Sequence, residues 1–295
     1  MKLKFWGVRG SIPSPGERTM RYGGNTTCLE VRTDANELII LDGGTGIFPL
    51  AQTLLKEMPL KVSILNSHSH WDHIQGLPFF IPMFVPGNQI KFYSSFDPVT
   101  GEGPERIMNV QLQYSYFPVR EAEMKSRFEY ATVMPNQVFE IGEATITPVL
   151  MSHPVVNFGY RIDCNGKSIF FTGDHEPHFN IYEPNDDGYA EYQTLIEEQR
   201  QFIIDAIQGV DIVVADAAYT LAEYPAKKGW GHGTFDSCIQ FAKDAGAKIL
   251  YCTHHEPTRS DDELENVFNE VMSRHANNVG KLDIRLAREG DEIVF

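Results

Sequence analysis

Short apolar runs, each closed by Gly, Pro, Asp or Asn, open the chain: "LKFWGV", "CLEVRT" and "ELIILD" read as β-strands. "IFPLAQTLLKEM" switches to helical spacing, with Pro49 in the first turn, where a missing N–H is tolerated. "KVSILN" then reads as a buried strand, followed at once by the polar stretch "HSHWDH". Farther on, "ATITPVL", "FGYRID" and "SIFFTGD" are strands, "YQTLIEEQRQFIIDAI" is a helix and "DIVVAD" is another buried strand. The last part alternates: "FDSCIQFAKDAGA" helical, "KILYCT" strand, "DDELENVFNEVMSRHA" helical, with "LDIRLA" and "EIVF" as closing strands. Strands grouped first and alternating with helices later predict stacked sheets flanked by helices, an α+β layout rather than a doubly wound parallel sheet. Residues 96–137, centred on "DPVTGEGPERIMNVQLQYSYFPV", sustain neither period and are expected to form a lid or substrate insertion.

At 295 residues and 42% hydrophobic content the chain can bury a large core. With no internal repeat and no Gly/Ser-rich linker, residues 1–295 are expected to form one domain. The formal charge of −15 is spread along the chain, which argues against a broad grip on extended nucleic acid and leaves small substrates open. Cys28, Cys164, Cys238 and Cys252 lie far apart with no Cys-x-x-Cys pair, the pattern of reduced thiols in a cytosol. The N-terminus reaches charge and glycine too early for a signal peptide, and no apolar stretch approaches the ~18 residues of a membrane span. A soluble, cytoplasmic protein with no membrane partner is the expectation.

The candidate chemistry lies in "LNSHSHWDHIQGLPFF", Leu65 to Phe80. On an extended segment residues two apart point the same way, so His68 and His70 can face one ion. A turn beginning there sends Asp72 and His73 toward a second. Imidazole nitrogen and carboxylate oxygen suit Zn²⁺ and also Mn²⁺ or Fe²⁺. A lone histidine is more often a loop or core residue; four ligand-type side chains in six positions after a strand are not. Two coordination spheres need further ligands, and three residues each end a later apolar run: His153 after "ATITPVLMS", Asp174 after "SIFFTG" and His254 after "KILYCT". Asp174 suits a bridge, because a carboxylate has two oxygens to share. His175 and His255 sit next to proposed ligands as supporting groups, whereas His178 and His275 read as surface residues.

This pattern resembles the metallo-β-lactamase superfamily, with its His-x-His-x-Asp-His motif and later His, Asp and His ligands. The resemblance implies an αβ/βα four-layer sandwich with two divalent metal ions at one edge. Carried over, one ion takes His68, His70 and His153, the other Asp72, His73 and His254, with Asp174 bridging. It also implies that Asp42, in the glycine-rich "LDGGTG", supports the metal loop. "ADAAYTLAEYPAKKGWGHGTFDSCIQFAKDAGAKILYCTHHEP" is similar to the C-terminal part of ribonuclease Z and related bacterial phosphodiesterases, where an acidic residue pairs with a histidine of a Gly-His-x-Thr segment. Here those positions are Asp216 and His232, with Thr234 beside them. The opening "FWGVRGSIPSPGERTMRYGGNTTCLEV" resembles the class II-like cyclic-nucleotide phosphodiesterases, which implies small phosphodiester substrates, 3′,5′-cyclic nucleotides above all, and a homodimer.

Phosphodiester chemistry fits such a site. Two ions lower the pKa of a shared water and offset phosphoryl charge, and a basic ribose alkoxide leaves with the help of a positioned acid. His232, oriented by Asp216, is the candidate acid, and Asp72 joins them in the catalytic set; a bland role for His232 is to cap the helix starting near Thr234. Tyr114, Tyr116 and Phe117 are candidates to stack on a base, or equally to pin their segment to the core. Arg9, Ser11 and Asn25, from the glycine-rich N-terminal turns, read first as structural turn residues, with phosphate or sugar contact as the other reading; Thr234 is a further candidate substrate contact. Competing functions are ester, thioester or lactone hydrolysis, ribonuclease Z-like RNA cleavage, and a non-catalytic di-iron or nucleotide sensor, from which His70 in place of a glutamate leans away.

Overall fold

The alternating apolar runs become two seven-stranded mixed sheets in the computed structural model, which describes residues 1–295. The first sheet takes β1 (Lys2–Gly7), β2 (Cys28–Arg32), β3 (Leu38–Leu41), β4 (Lys61–Leu65), β5 (Gln89–Ser94) and β6 (Arg127–Thr132). The second takes β7 (Phe139–Ile141), β8 (Ala144–Met151), β9 (Asn157–Cys164), β10 (Lys167–Phe171), β11 (Ile212–Asp216), β12 (Ile249–Thr253) and β13 (Asp283–Leu286). The chain then returns, and β14 (Glu292–Val294) pairs antiparallel with β1. Strand orders are β14-β1-β2-β3-β4-β5-β6 and β13-β12-β11-β10-β9-β8-β7. Six helices accompany them: α1 (Ile47–Leu54), α2 (Trp71–Ile74), α3 (Glu105–Gln111), α4 (Tyr189–Ala206), α5 (Phe235–Asp244) and α6 (Asp261–His275).

Alternation along central strands divides the core into three interfaces. In β3, Ile39 and Leu41 face the opposite sheet, while Leu38 and Ile40 pack with Ile47, Leu50 and Leu54 of α1. In β11, Ile212 and Val214 enter the inter-sheet core, and Val213 and Ala215 meet α4 and α5. A strand apolar on both faces can only lie inside, with a layer on each side. The result is the expected αβ/βα four-layer sandwich. All four cysteines are buried and unpaired, and no helix is long and apolar enough to cross a membrane.

Strand direction gathers the polar candidates. β10, β11 and β12 run parallel, and β9 is antiparallel to both β8 and β10, so β8, β10, β11 and β12 all end at one rim. In the first sheet β3 and β4 are parallel and end together. Asp42, the His68–His73 stretch, His153, Asp174, Asp216 and His254 all lie at or just past those ends. The region 96–137 is more regular than its sequence pattern: it contains α3 and, over Arg127–Thr132, the parallel edge strand β6 beside β5. Arg127–Thr132 thus belongs to the first sheet. β6 carries no strong apolar run because Arg127 and Glu129 alternate with Phe128 and Tyr130.

Candidate metal centre

After β4 the chain stays extended through His68 and His70, whose ψ is 149°, then turns into the single helical turn α2. That change of course aims Asp72 and His73 beside, not along, the first two histidines. Asp42 fastens the loop from behind. Its Oδ1 accepts Ser67 N–H at 2.6 Å, and its Oδ2 accepts Ser67 Oγ–H at 2.8 Å and His73 Nδ1–H at 2.7 Å. Gly44, in the "LDGGTG" turn, packs so tightly under this loop that a Cβ there would meet Asp72 O at 2.3 Å. Asp42 (φ 61°), Ser11 (φ 60°) and His254 (φ 57°) all hold left-handed backbone at this rim, an uncommon conformation for such residues that concentrates at functional sites.

The hydrogen bonds decide which nitrogens face inward. Ser67 Oγ gives its proton to Asp42 and so accepts from His68 Nδ1, 3.0 Å away. His73 gives Nδ1–H to Asp42, and His153 gives Nδ1–H to Gly231 O at 2.9 Å. Each leaves an Nε2 lone pair turned inward. Donor atoms of His68, His70, His153 and Asp174 lie within 4.8 Å of one another, as do those of Asp72, His73, Asp174 and His254. Asp174 belongs to both groups. His153 Nε2 is 3.1 Å from His70 Nδ1, and His254 Nε2 is 3.1 Å from Asp72 Oδ2 and 3.3 Å from Asp174 Oδ1.

Three of the inward atoms, His68 Nε2, His73 Nε2 and Asp174 Oδ1, are buried without a hydrogen bond of normal geometry. Orphaned buried polar atoms are destabilising by about 1–3 kcal/mol each, and here they converge on common points. Divalent ions bound among these nitrogen and oxygen donors would relieve all of them, so the residues present fit such ions.

The charges bear on one another strongly. Burial disfavours the imidazolium of His254, but the carboxylates of Asp174, Asp216 and Asp72 outweigh it and lift the group to about 9. Burial likewise opposes protonation of His73, and Asp174, Asp72 and Asp42 overcome it, raising the group. For His68, His70 and His153 burial prevails and the groups are lowered. Burial alone would raise Asp174; the surrounding His254, His73, His232 and His68 hold it well below the carboxylate range.

Beside this cluster His232 points Nδ1 at Asp216 Oδ2, 2.9 Å away, and its ring stacks on His254 with centroids 4.6 Å apart. Asp216 is fixed in turn by the N–H groups of His175 and Ala218, at 3.2 Å each. The His232 side chain remains 13% exposed, so with Nδ1 engaged its Nε2 is the nitrogen open to an incoming group. Helix α5 is capped by Thr234, not by His232: Thr234 Oγ1 accepts Ser237 N–H at 3.0 Å.

That cap corrects one expectation, since Thr234 is buried and committed to the helix rather than to a substrate. Arg9 takes the structural turn role, not the substrate contact. It is fully buried, ion-paired to Asp261 at 3.1 Å and bonded to the carbonyls of Gly23 and Arg259, which locks the N-terminal turns to the start of α6. Asn25 spends its backbone and side-chain N–H groups on Glu289. Ser11 does reach the cluster, through its backbone N–H, which donates to Asp72 Oδ2 at 2.7 Å. Phe117 packs edge-on against Phe79 at 5.4 Å and pins its segment; Tyr114 lies under Arg120. Neither tyrosine lines the cleft that opens on the cluster: Tyr114 and Tyr116 are exposed elsewhere. Its walls are Ser69, Trp71, Phe96, Arg106, Val110 and His153, among others. Of the flanking histidines, His255 is a buried strut bonded to Ala287 O, and His275 pairs with Asp236. His175 turns its ring away to accept Ser152 N–H, and His178 is half-buried rather than a surface residue. Sequence reasoning missed Ser67, whose hydroxyl links Asp42 to His68, and Glu176, whose carboxylate accepts backbone N–H groups of a distant loop; no spacing reveals either.

Comparison with known proteins agrees with this architecture. The family model for the β-lactamase superfamily domain matches residues 38–255. Ribonuclease Z of Lactococcus lactis subsp. lactis is 22% identical to this chain, over 94% of the chain and 96% of the relative. Among solved structures, unliganded yeast PDE1 superposes with a TM-score of 0.70 at 17% identity, covering 100% of this chain and 99% of that one. The short form of human tRNase Z gives 0.63 at 19%, covering 100% and 99%. At these identities the superpositions speak to the fold.

Proposed function

The chain belongs to the β-lactamase superfamily of metal-dependent hydrolases, and from that premise we propose that it is a dinuclear-metal phosphodiesterase for small phosphodiesters, with 3′,5′-cyclic nucleotides as the substrate class of choice. The observation that carries the reading is the His232–Asp216 pair, 2.9 Å apart, set against the rings of His254 and His153 at the edge of the cluster. Ester and lactone cleavage have less need of a separate acid; an alkoxide leaving a phosphorus centre needs one.

In this reading His68, His70 and His153 hold one ion and Asp72, His73 and His254 the other, with Asp174 shared. Such ions, when bound, supply a nucleophile at neutral pH and offset phosphoryl charge. The protein's own part is orientation. Asp42, Ser67 and Gly231 O fix the imidazoles, and Asp216 keeps the proton on His232 Nδ1 so that a second proton, on Nε2, can pass to the departing oxygen. The cleft, about 680 Å³, suits a small ester group, and its one cation, Arg106, already bonds Asp97 at 3.1 Å and Glu102 at 2.5 Å. A single internally neutralised cation is poor provision for a polyanion.

The ribonuclease Z relatives favour a second reading, RNA cleavage. The charge of −15 and the lack of a Lys/Arg-rich arm weigh against it. A homodimer and a cytoplasmic setting belong to the same proposal, on resemblance and on four unpaired cysteines. The test is hydrolysis of cyclic nucleotides, bis(p-nitrophenyl) phosphate, precursor tRNA and an ester panel by zinc-, manganese- and iron-loaded protein. Cyclic nucleotides left intact while tRNA or esters are cleaved would overturn the assignment.

A further inference from the structure

We propose that Glu176 is a positioning residue that couples the candidate ligand His153 to the candidate acid His232 by holding the loop between them. Glu176 follows Asp174 by two residues, is 3% exposed and forms no salt bridge. Its Oε1 accepts Tyr224 Oη–H at 2.7 Å and Gly229 N–H at 2.8 Å; its Oε2 accepts Gly231 N–H at 2.8 Å and, more weakly, Gly229 N–H at 3.1 Å. A buried carboxylate met by backbone N–H groups and one phenol makes charge-assisted bonds, the strong kind, and it holds a nest of backbone in place.

The backbone so held serves two functional groups. Gly231 O accepts His153 Nδ1–H at 2.9 Å, which selects the tautomer that turns Nε2 toward His70 and Asp174. His232 is the next residue, with Nδ1 on Asp216. Gly231 sits at φ 91°, and a Cβ there would lie 2.3 Å from His153 Nδ1, so loop and ligand are in direct contact. Glu176 is itself keyed to the strand end before His153, its N–H donating to Ser152 O at 3.0 Å. The base of the loop has its own anchor, Arg259, which bonds both oxygens of Glu223 at 2.9 and 2.8 Å and Ala218 O at 3.0 Å. Glu176 is the hold on the tip.

The effect on catalysis rests on the phosphodiesterase reading; the hold on the loop does not, and the test separates them. Glu176→Gln keeps the shape but sets an amide NH₂ against a backbone N–H. In the zinc-loaded variant kcat for diesters with alkoxide leaving groups falls about 10–100-fold, KM stays within about twofold, and aryl diesters lose at most about threefold. Trypsin cleavage after Lys227 and Lys228, in the held loop, accelerates about tenfold as the local opening free energy drops. Tyr224→Phe, which removes one bond and leaves the carboxylate, shifts both readouts the same way by less. Equal losses on alkyl and aryl diesters, or no acceleration of cleavage in either variant, overturn the proposal. Should the wild type hydrolyse no diester, the phosphodiesterase reading falls, and the loop hold is then decided by proteolysis together with zinc affinity. Faster cleavage with about tenfold weaker zinc sustains it, and unchanged values overturn it.

Discussion

Asp42 and His73 share a hydrogen bond of 2.7 Å between two side chains wholly shielded from solvent. Because the same carboxylate also takes both donors of Ser67, one residue at the end of β3 holds the metal loop from before its first histidine to its last.

Asp42→Asn is therefore expected to weaken zinc binding about 10–100-fold while the fold persists, since the isosteric amide no longer dictates which nitrogen of His73 carries the proton. Competition titration against a chromophoric chelator measures it. An affinity equal to wild type would show that Asp42 supports the backbone alone.

His232 and Asp216 are expected to act as one unit. Removing an acid of this kind lowers kcat about 10²–10⁴-fold on an unactivated diester. His232→Ala and Asp216→Asn should each show most of that loss, and the double variant little more, because a histidine without its carboxylate is already misplaced. Additive losses in the cycle would mean the two residues work separately.

Chelator-stripped protein is expected to lose stability as pH rises. His254, at about 9, and the raised His73 and His232 have folded-state values above the ordinary histidine value near 6.5. Their contribution is present in full below the unfolded value and is lost as pH climbs toward the folded one. The lowered His68, His70 and His153 are neutral in both states across that window and do not oppose the trend. Tm of the stripped form should fall by a few degrees, on the order of one or two kcal/mol, between roughly pH 7 and 9, while the zinc-loaded form stays level. A flat or rising Tm in the stripped form would contradict the charge balance described.

Arg9→Met tests a structural assignment. Breaking a buried pair strands the partner charge, Asp261, and about 3–5 kcal/mol should be lost in urea unfolding. KM of the surviving folded enzyme should not change. A raised KM with stability intact would return Arg9 to the substrate.

Much of this protein was legible along the chain. Runs such as "IILD" and "DIVVAD" are apolar on both faces, and a strand of that kind has to lie between two layers. Ligand-type residues recur just where those runs stop, so the cluster of His68, His70, Asp72 and His73 could be joined to His153, Asp174 and His254 before any coordinates. β5 and the edge strand β6 are less legible: "QIKFYS" and "RFEYAT" both mix charged positions with aromatics, so neither makes a clean apolar run. For Arg9 and Asn25 the sequence leaves substrate contact open beside a structural turn role, because glycine-rich turns serve both ligands and chain reversals, and their partners, Asp261 and Glu289, lie more than 200 residues away.

The sequence alone determined the layers, the rim on which the chemistry collects and the residue types gathered there, since these follow from periodicity and strand ends. Tertiary structure alone decided which nitrogen of each histidine turns inward, that Thr234 caps α5 while His232 stays open, and that Glu176 holds the loop joining two parts of the site. Those outcomes depend on partners brought near by folding: the side chains of Asp42 and Ser67 for His73 and His68, and backbone atoms, which are the same at every position of a sequence, for His153, Thr234 and Glu176.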